Sequence, residues 1–285
     1  MDYVHPEALV TTDWLADNLG ASDISIIDAS FHLPAAQRNP QAEFGATHIP
    51  GAVFFDINDI ADDDTDLPHM LPSPEKFSSR IRKLGIGSEQ HIICYDTNGG
   101  PMAAMRAWWT FRIFGYDRVS VLSGGLPKWQ NEDRPTESGE TLVTEKHFFA
   151  KFDPTLVRSL DQMLSNIDSG ADQAVDARST GRYNGTEPEP RAGIRSGHIP
   201  GAISLPFQKL VDTENFLVMR SADELKAAIE EAGIDPEKPL VSSCGSGVTA
   251  APLVLALYLL GHTRAAIYDG SWTEWGGRDD TPIDV

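Results

Sequence analysis

The chain has 285 residues, 41% of them hydrophobic and 23% charged, with a formal net charge of −19. That supplies core material for two domains of ordinary size, and so acidic a surface argues against nucleic acid or an anionic membrane as a partner. Two cysteines, Cys94 and Cys244, are too few for a disulfide framework and point to thiols in a reducing, cytoplasmic setting.

The opening residues MDYVHPEALVTTDWLADNLG have no basic start and no apolar run, so no signal peptide is expected. IIDAS, at 26–30, has a strand-like pattern, and HIPGA follows at 48–52. ADDDTD, at 61–66, lacks the spaced ligands and distal glutamate of an EF-hand loop and reads as a solvated loop. SPEKFSSRIRKLGI, from Ser73, is helical in pattern. HIICYD is a strand that carries Cys94 into the core as a small hydrophobe. RAWW, at 106–109, falls on a helix and reads as packing or domain-interface surface. NEDRPTESGETLVTEKHFF, at 131–149, is polar, holds Pro and Gly, and reads as a linker.

Beyond it the chain repeats itself. AVDARS answers IIDAS, and HIPGA returns at 198–202. SADELKAAIEEAGI, from Ser221, answers the segment at Ser73, and LGHTRAAIYDGSWTEW answers FGYDRVSVLSGGLPKW. Order is kept while spacing drifts, as in a duplicated domain with loop insertions. The expected division is a first domain over 1–135, a linker over 136–152 and a second domain over 153–285.

In the second copy DQAVDA, AISLPF, PLVSS and AAIYDG are short, apolar and bounded by turn formers, as buried strands are. Ser221 and Glu224 make a capping box, and Gly233 stops that helix. Residues 248–260 are apolar all round, which predicts a core helix too short to span a membrane. Alternating strands and helices imply an α/β fold, with each copy a parallel sheet covered by helices on both faces. Ligands of such sheets sit beyond the carboxyl ends of the strands.

Cys244 lies at such an end, in CGSGVTA. Gly245 and Gly247 let the backbone curl, and a curl turns successive N–H groups inward as an anion-binding nest. The following helix adds a partial positive charge, and small side chains leave the sulfur accessible. A thiolate is stabilised in such a place, so Cys244 is the candidate nucleophile. Asn98 stands opposite Cys244 in the first copy, which therefore lacks the nucleophile. A cysteine-phosphatase loop needs an arginine six positions after the cysteine, and Ala250 stands there. A persulfide fits better than a phosphate. Nucleotide loops and zinc-type clusters are absent from the sequence, and no metal or organic cofactor is expected.

The paired HIPGA turns, the cysteine loop and the closing DGSWTEW resemble the two-domain rhodanese-type sulfurtransferases, over nearly the whole chain. CGSGVTA is similar to the 3-mercaptopyruvate branch, whereas thiosulfate-preferring members carry basic residues where Gly245 and Ser246 stand. The resemblance implies Cys244 as persulfide carrier, with the loop of Gly245, Gly247, Val248 and Thr249 around it. It implies Arg182 and Arg191 as holders of the donor's carboxylate and carbonyl. Guanidinium suits that task because its planar fork matches a carboxylate. It also implies Ser246 and His48 as two members of a Ser-His-Asp relay, whose acid position, eleven residues before His48, is occupied by Gln37. The expected partners are a small sulfur donor and a thiol, thioredoxin-like or cyanide acceptor. Thiosulfate as donor, or a protein-to-protein persulfide relay, are the alternatives. Trp272 and Trp275 follow the last strand of the second copy, and Trp272 reads either as approaching the active cleft or as core or rim packing.

Overall fold

The computed structural model describes residues 2–98 and 103–285. The first copy builds β1 (Leu9–Val10), β2 (Ile24–Asp28), β3 (Ala52–Phe54), β4 (His91–Tyr95) and β5 (Val119–Leu122). The second builds β6 (Val157–Arg158), β7 (Gln173–Asp176) and β8 (Ile203–Ser204), then a small antiparallel pair, β9 (Val211–Asp212) and β10 (Val218–Met219). Its last strands are β11 (Leu240–Ser243) and β12 (Ala266–Tyr268). The two main sheets are parallel and run in the same order, β1-β5-β4-β2-β3 and β6-β12-β11-β7-β8. The repeat in the sequence is thus a repeat of topology. β1 and β6 escape sequence reading because two residues are too short to show a period.

β11 sits at the centre of its sheet and is buried along its length. Helices cover both faces there, so small and apolar residues suit it and alternation is lost. The Ser221–Glu224 capping box is present, and Gly233, with φ +77°, lies past the end of the helix Ala222–Glu231. The core helix is shorter than its apolar run: it spans Ala251–Leu259. Pro252 marks its first turn, where a missing N–H costs nothing. Residues 248–250 belong to the loop instead.

The two copies meet through the helices Ala103–Ile113 and Ala251–Leu259, whose side chains join one continuous core. Trp108 stands edge-on to Tyr258 at 5.4 Å, and the Arg112 guanidinium lies 4.0 Å over the Tyr258 ring. The second helix is apolar all round because a sheet covers one side and the first domain the other. The polar segment after Asn131 is strapped to the first domain. Glu137 pairs with His48, and the Ser88 N–H donates to the His147 carbonyl at 3.1 Å. Phe148 is buried beside Phe77, Phe111 and Tyr116. No helix among the described residues is long and apolar enough to cross a membrane.

Candidate active site

β11 ends at Ser243, and Cys244 opens the loop, 1% exposed. The loop is held by its carbonyls. The Cys244 carbonyl accepts the Trp272 N–H at 2.9 Å. The Gly245 carbonyl accepts the Thr273 N–H at 2.9 Å and its hydroxyl at 2.6 Å. The Gly247 carbonyl accepts from Arg106 Nη1 at 3.2 Å. In a trans peptide the next N–H points to the opposite side. Three anchored carbonyls therefore turn the N–H groups of Gly245, Ser246 and Val248 away from the anchors. The N–H groups of residues 245–249 donate no hydrogen bond among the described residues. Unpartnered N–H groups of this kind are what an anion-binding nest requires.

The Cys244 N–H donates to Ser271 Oγ at 3.2 Å, and Ser271 Oγ donates to the Tyr268 carbonyl at 2.8 Å. Ser271 has φ +49° and follows Gly270, so the end of β12 is bent to meet the loop. Trp272, 1% exposed, donates its Nε1–H to the Arg195 carbonyl and stacks under Arg178 at 4.3 Å. Trp275 is core, with Nε1–H on the Pro282 carbonyl. Of these tryptophans, Trp272 serves the site, through its backbone.

Both arginines that the resemblance implies, Arg182 and Arg191, lie near the cysteine. A Cβ on Gly245 would stand 3.0 Å from Arg182 Nη2, so the bare Gly245 lets that guanidinium approach. Arg182 is tied to Glu189 at 2.5 Å, and Glu189 is shared with Arg178 at 2.7 Å. Arg178 also meets Asp176 at 2.6 Å, which makes a four-membered network with balanced charge. Arg191 joins no ion pair among the described residues. Burial lowers its guanidinium from the ordinary value, the Cys244 charge raises it, the Arg182 charge lowers it and the Glu189 charge raises it. These influences place Arg191, Arg182 and Cys244 around one space. Of these two arginines, Arg191 is the one without an ion pair among the described residues.

Ser246 is buried in the loop, Val248 is buried and Thr249 is partly so. His48 is elsewhere in the first domain. Its Nδ1 bonds the Phe44 carbonyl at 2.7 Å, its Nε2 meets Glu137 at 3.3 Å, and its ring stacks on Phe44. His198 repeats the arrangement on the Tyr183 carbonyl and ring. Both histidines fix a turn into PGA, and the structure does not bring His48 to the cysteine. The first-domain histidine that reaches the cleft is His69. It is 5% exposed, with neither ring nitrogen bonded among the described residues. Burial first, then the Arg106 and Arg191 charges, hold it down to about 3, so its ring is neutral.

Sequence reading also missed Asp269, Ser271 and the part played by Arg106. Each acts across long chain separations, with no local pattern to show it. Cys94 is fully buried in β4, and burial pushes its thiol up, away from reactivity. A cavity of about 600 Å³ between Asp172, Lys238 and Arg264 lies at the amino ends of the second sheet, the wrong end for Cys244.

The geometry describes a tandem α/β protein in which a loop of one copy encloses a buried cysteine and the other copy helps to hold that loop. Comparison gives the family. The rhodanese-like domain matches residues 11–132 and again 159–278, and the chain belongs to that family. It is 43% identical over 277 residues to the 3-mercaptopyruvate sulfurtransferase of Escherichia coli (strain K12), covering 96% of this chain and 97% of that one. It is 43% identical over 300 residues to the mitochondrial thiosulfate/3-mercaptopyruvate sulfurtransferase 1 of Arabidopsis thaliana, covering 98% and 78%. The crystal structure of SseA from Escherichia coli superposes with a TM-score of 0.84 at 41% identity, covering 93% of this chain and 98% of that one.

Proposed function

We propose that the protein transfers sulfur from 3-mercaptopyruvate through a Cys244 persulfide. The Cys244 thiolate attacks the donor's thiol sulfur. The new S–S bond forms as the C–S bond breaks, and its electron pair stays on carbon as the enolate of pyruvate. Protonation of that enolate yields pyruvate. An acceptor thiolate or cyanide then attacks the outer sulfur, and Cys244 leaves as thiolate. The N–H groups of Gly245, Ser246 and Val248 hold the negative charge on sulfur in both states.

The observation that carries this reading is the charge around Cys244. Arg182 is already neutralised by Glu189, and Arg191 is left for one carboxylate. A monoanionic 2-oxo acid matches that balance better than dianionic thiosulfate. His69, neutral and beside Arg191, is the imidazole available to the donor, whereas the resemblance implies His48 as the histidine of the relay. Gly247 and Thr249 shape the loop, and Ser246 offers a hydroxyl at its centre. The acceptor is a thiol or thioredoxin-like protein, and the setting is cytoplasmic, since both cysteines are free thiols.

The test is a steady-state assay of wild type and Cys244→Ser with either donor and one common acceptor. Preference for 3-mercaptopyruvate, lost in the variant, is the expected result. Preference for thiosulfate overturns the charge argument, and activity in the variant overturns the nucleophile.

A further inference from the structure

Arg106 belongs to the first domain, yet its guanidinium is 2% exposed and bonds to both domains. Nη1 donates to the Gly247 carbonyl at 3.2 Å. Nη2 donates to Asp269 Oδ1 at 2.6 Å and to the His69 carbonyl at 2.8 Å. The ring of Trp109 lies under it at 4.4 Å. The far oxygen of Asp269 accepts the Leu71 N–H at 2.7 Å. Leu71 and His69 belong to the first domain's loop, and Asp269 precedes the bend that carries Ser271. One side chain thus joins the cleft wall of one domain to both segments that shape the cysteine loop of the other.

We infer that Arg106 is a positioning residue for sulfur transfer: it holds the Gly247 peptide with its carbonyl outward, so that the Val248 N–H faces the Cys244 sulfur. The inference rests on the sulfur-transfer reading above. Gly247, at φ +75°, is the residue of the loop most free to rotate its peptide. A flip of that peptide would aim a carbonyl, rather than an N–H, at a negatively charged sulfur. The Cys244 and Gly245 carbonyls are anchored from within the second domain, by Trp272 and Thr273. The Gly247 carbonyl is anchored from across the interface. The planar fork matters, because a point charge cannot serve three acceptors in fixed directions.

The duplication sharpens the inference. In the alignment that sets Asn98 opposite Cys244, Arg106 falls opposite Pro252. The second copy has no equivalent guanidinium to offer the first. The first domain's contribution to the reaction is therefore directional: it lacks a nucleophile of its own and braces the neighbour's.

The experiment compares wild type with Arg106→Lys and, as a control on the same helix and interface, Arg112→Lys. Arg112 lies over Tyr258 and makes no hydrogen bond to the loop among the described residues. The first readout is the pH midpoint of iodoacetamide alkylation, followed by mass spectrometry on the Cys244 peptide. The second is the split between kcat and KM with 3-mercaptopyruvate. Loss of one charge-assisted donor should raise the midpoint in Arg106→Lys by about one pH unit and lower kcat about tenfold. KM should stay within about twofold, because Arg191, the partner of the donor's carboxylate, is unchanged. Arg112→Lys should match wild type in both.

A midpoint and kcat equal to wild type, whatever happens to Tm, would overturn the inference and leave Arg106 an interface strut. A shifted midpoint with unchanged kcat would overturn it too. Should Arg106→Lys fail to fold, the double variant Arg106→Met/Asp269→Asn removes both buried charges and gives the same readouts. Alkylation needs no sulfur donor. A wild type inactive on 3-mercaptopyruvate would therefore refute the functional reading separately.

Discussion

A single methyl group at Gly247 should disable the site. An alanine there must adopt φ +75°, and its Cβ would stand 2.9 Å from both the Asp269 carbonyl oxygen and Arg106 Nη1. The left-handed conformation alone costs an L-residue about 1–2 kcal/mol. The carbonyl is backbone at the end of β12, close to the bend that seats Ser271 against Cys244, so it cannot yield without moving the site. The loop must shift instead, and an N–H misaimed from the thiolate forfeits about 1.5–3 kcal/mol. The strain shows in stability, and the misaimed N–H costs about tenfold to a hundredfold in kcat/KM. The assay is sulfur transfer from 3-mercaptopyruvate to cyanide with Gly247→Ala, beside a thermal melt. A variant with a native Tm and kcat/KM within about threefold of wild type would refute the argument that the loop's curl makes the site.

The remaining expectations concern charge. Arg191→Ala should lower kcat/KM for 3-mercaptopyruvate by about tenfold to a hundredfold, mostly through KM, since it removes a charged partner of the carboxylate. An unchanged KM would take Arg191 out of the substrate site. Asp28 is fully buried, and burial raises its carboxyl from 3.8 to about 6, with the Asp96 charge adding to the rise against the hydrogen bonds of Ser30. Its counterpart Asp176 is paired with Arg178, where the first copy has Ser30. A carboxyl raised on folding binds its proton more tightly in the native state. Its ionisation therefore withdraws stability as pH climbs from about 4 to about 6, by about 3 kcal/mol when complete. Asp28→Asn should gain stability relative to wild type across that window and hold the gain above it. Urea midpoints from pH 4 to 7.5 measure this, and parallel profiles would show that Asp28 does not titrate there.

Much of the site's chemistry is legible locally. CGSGVTA after an apolar strand places Cys244, because glycines that free the backbone and a helix start that follows are short-range features. The edges of that reading were weaker. Residues 248–250 continue the apolar run but belong to the loop, and Pro252 was the available signal for the true helix start. His48 and His198 lie in identical pentapeptides and do the same structural job, so duplication was itself a hint that neither is catalytic. RAWW read as packing, and for the two tryptophans that is what the structure shows.

The sequence alone determined the two-copy organisation, the parallel sheets and the place of Cys244 at the end of a central strand. Each follows from a repeat, a period or a loop composition contained in a few dozen residues. Only the tertiary structure decided what surrounds the sulfur: the pairing of Arg182 with Glu189, the approach of Arg191, the arrival of His69, and the reach of Arg106 to Gly247 across 141 residues of chain. A side chain's partner over such a separation is set by how two sheets and two helices pack. Local propensity carries no record of that choice.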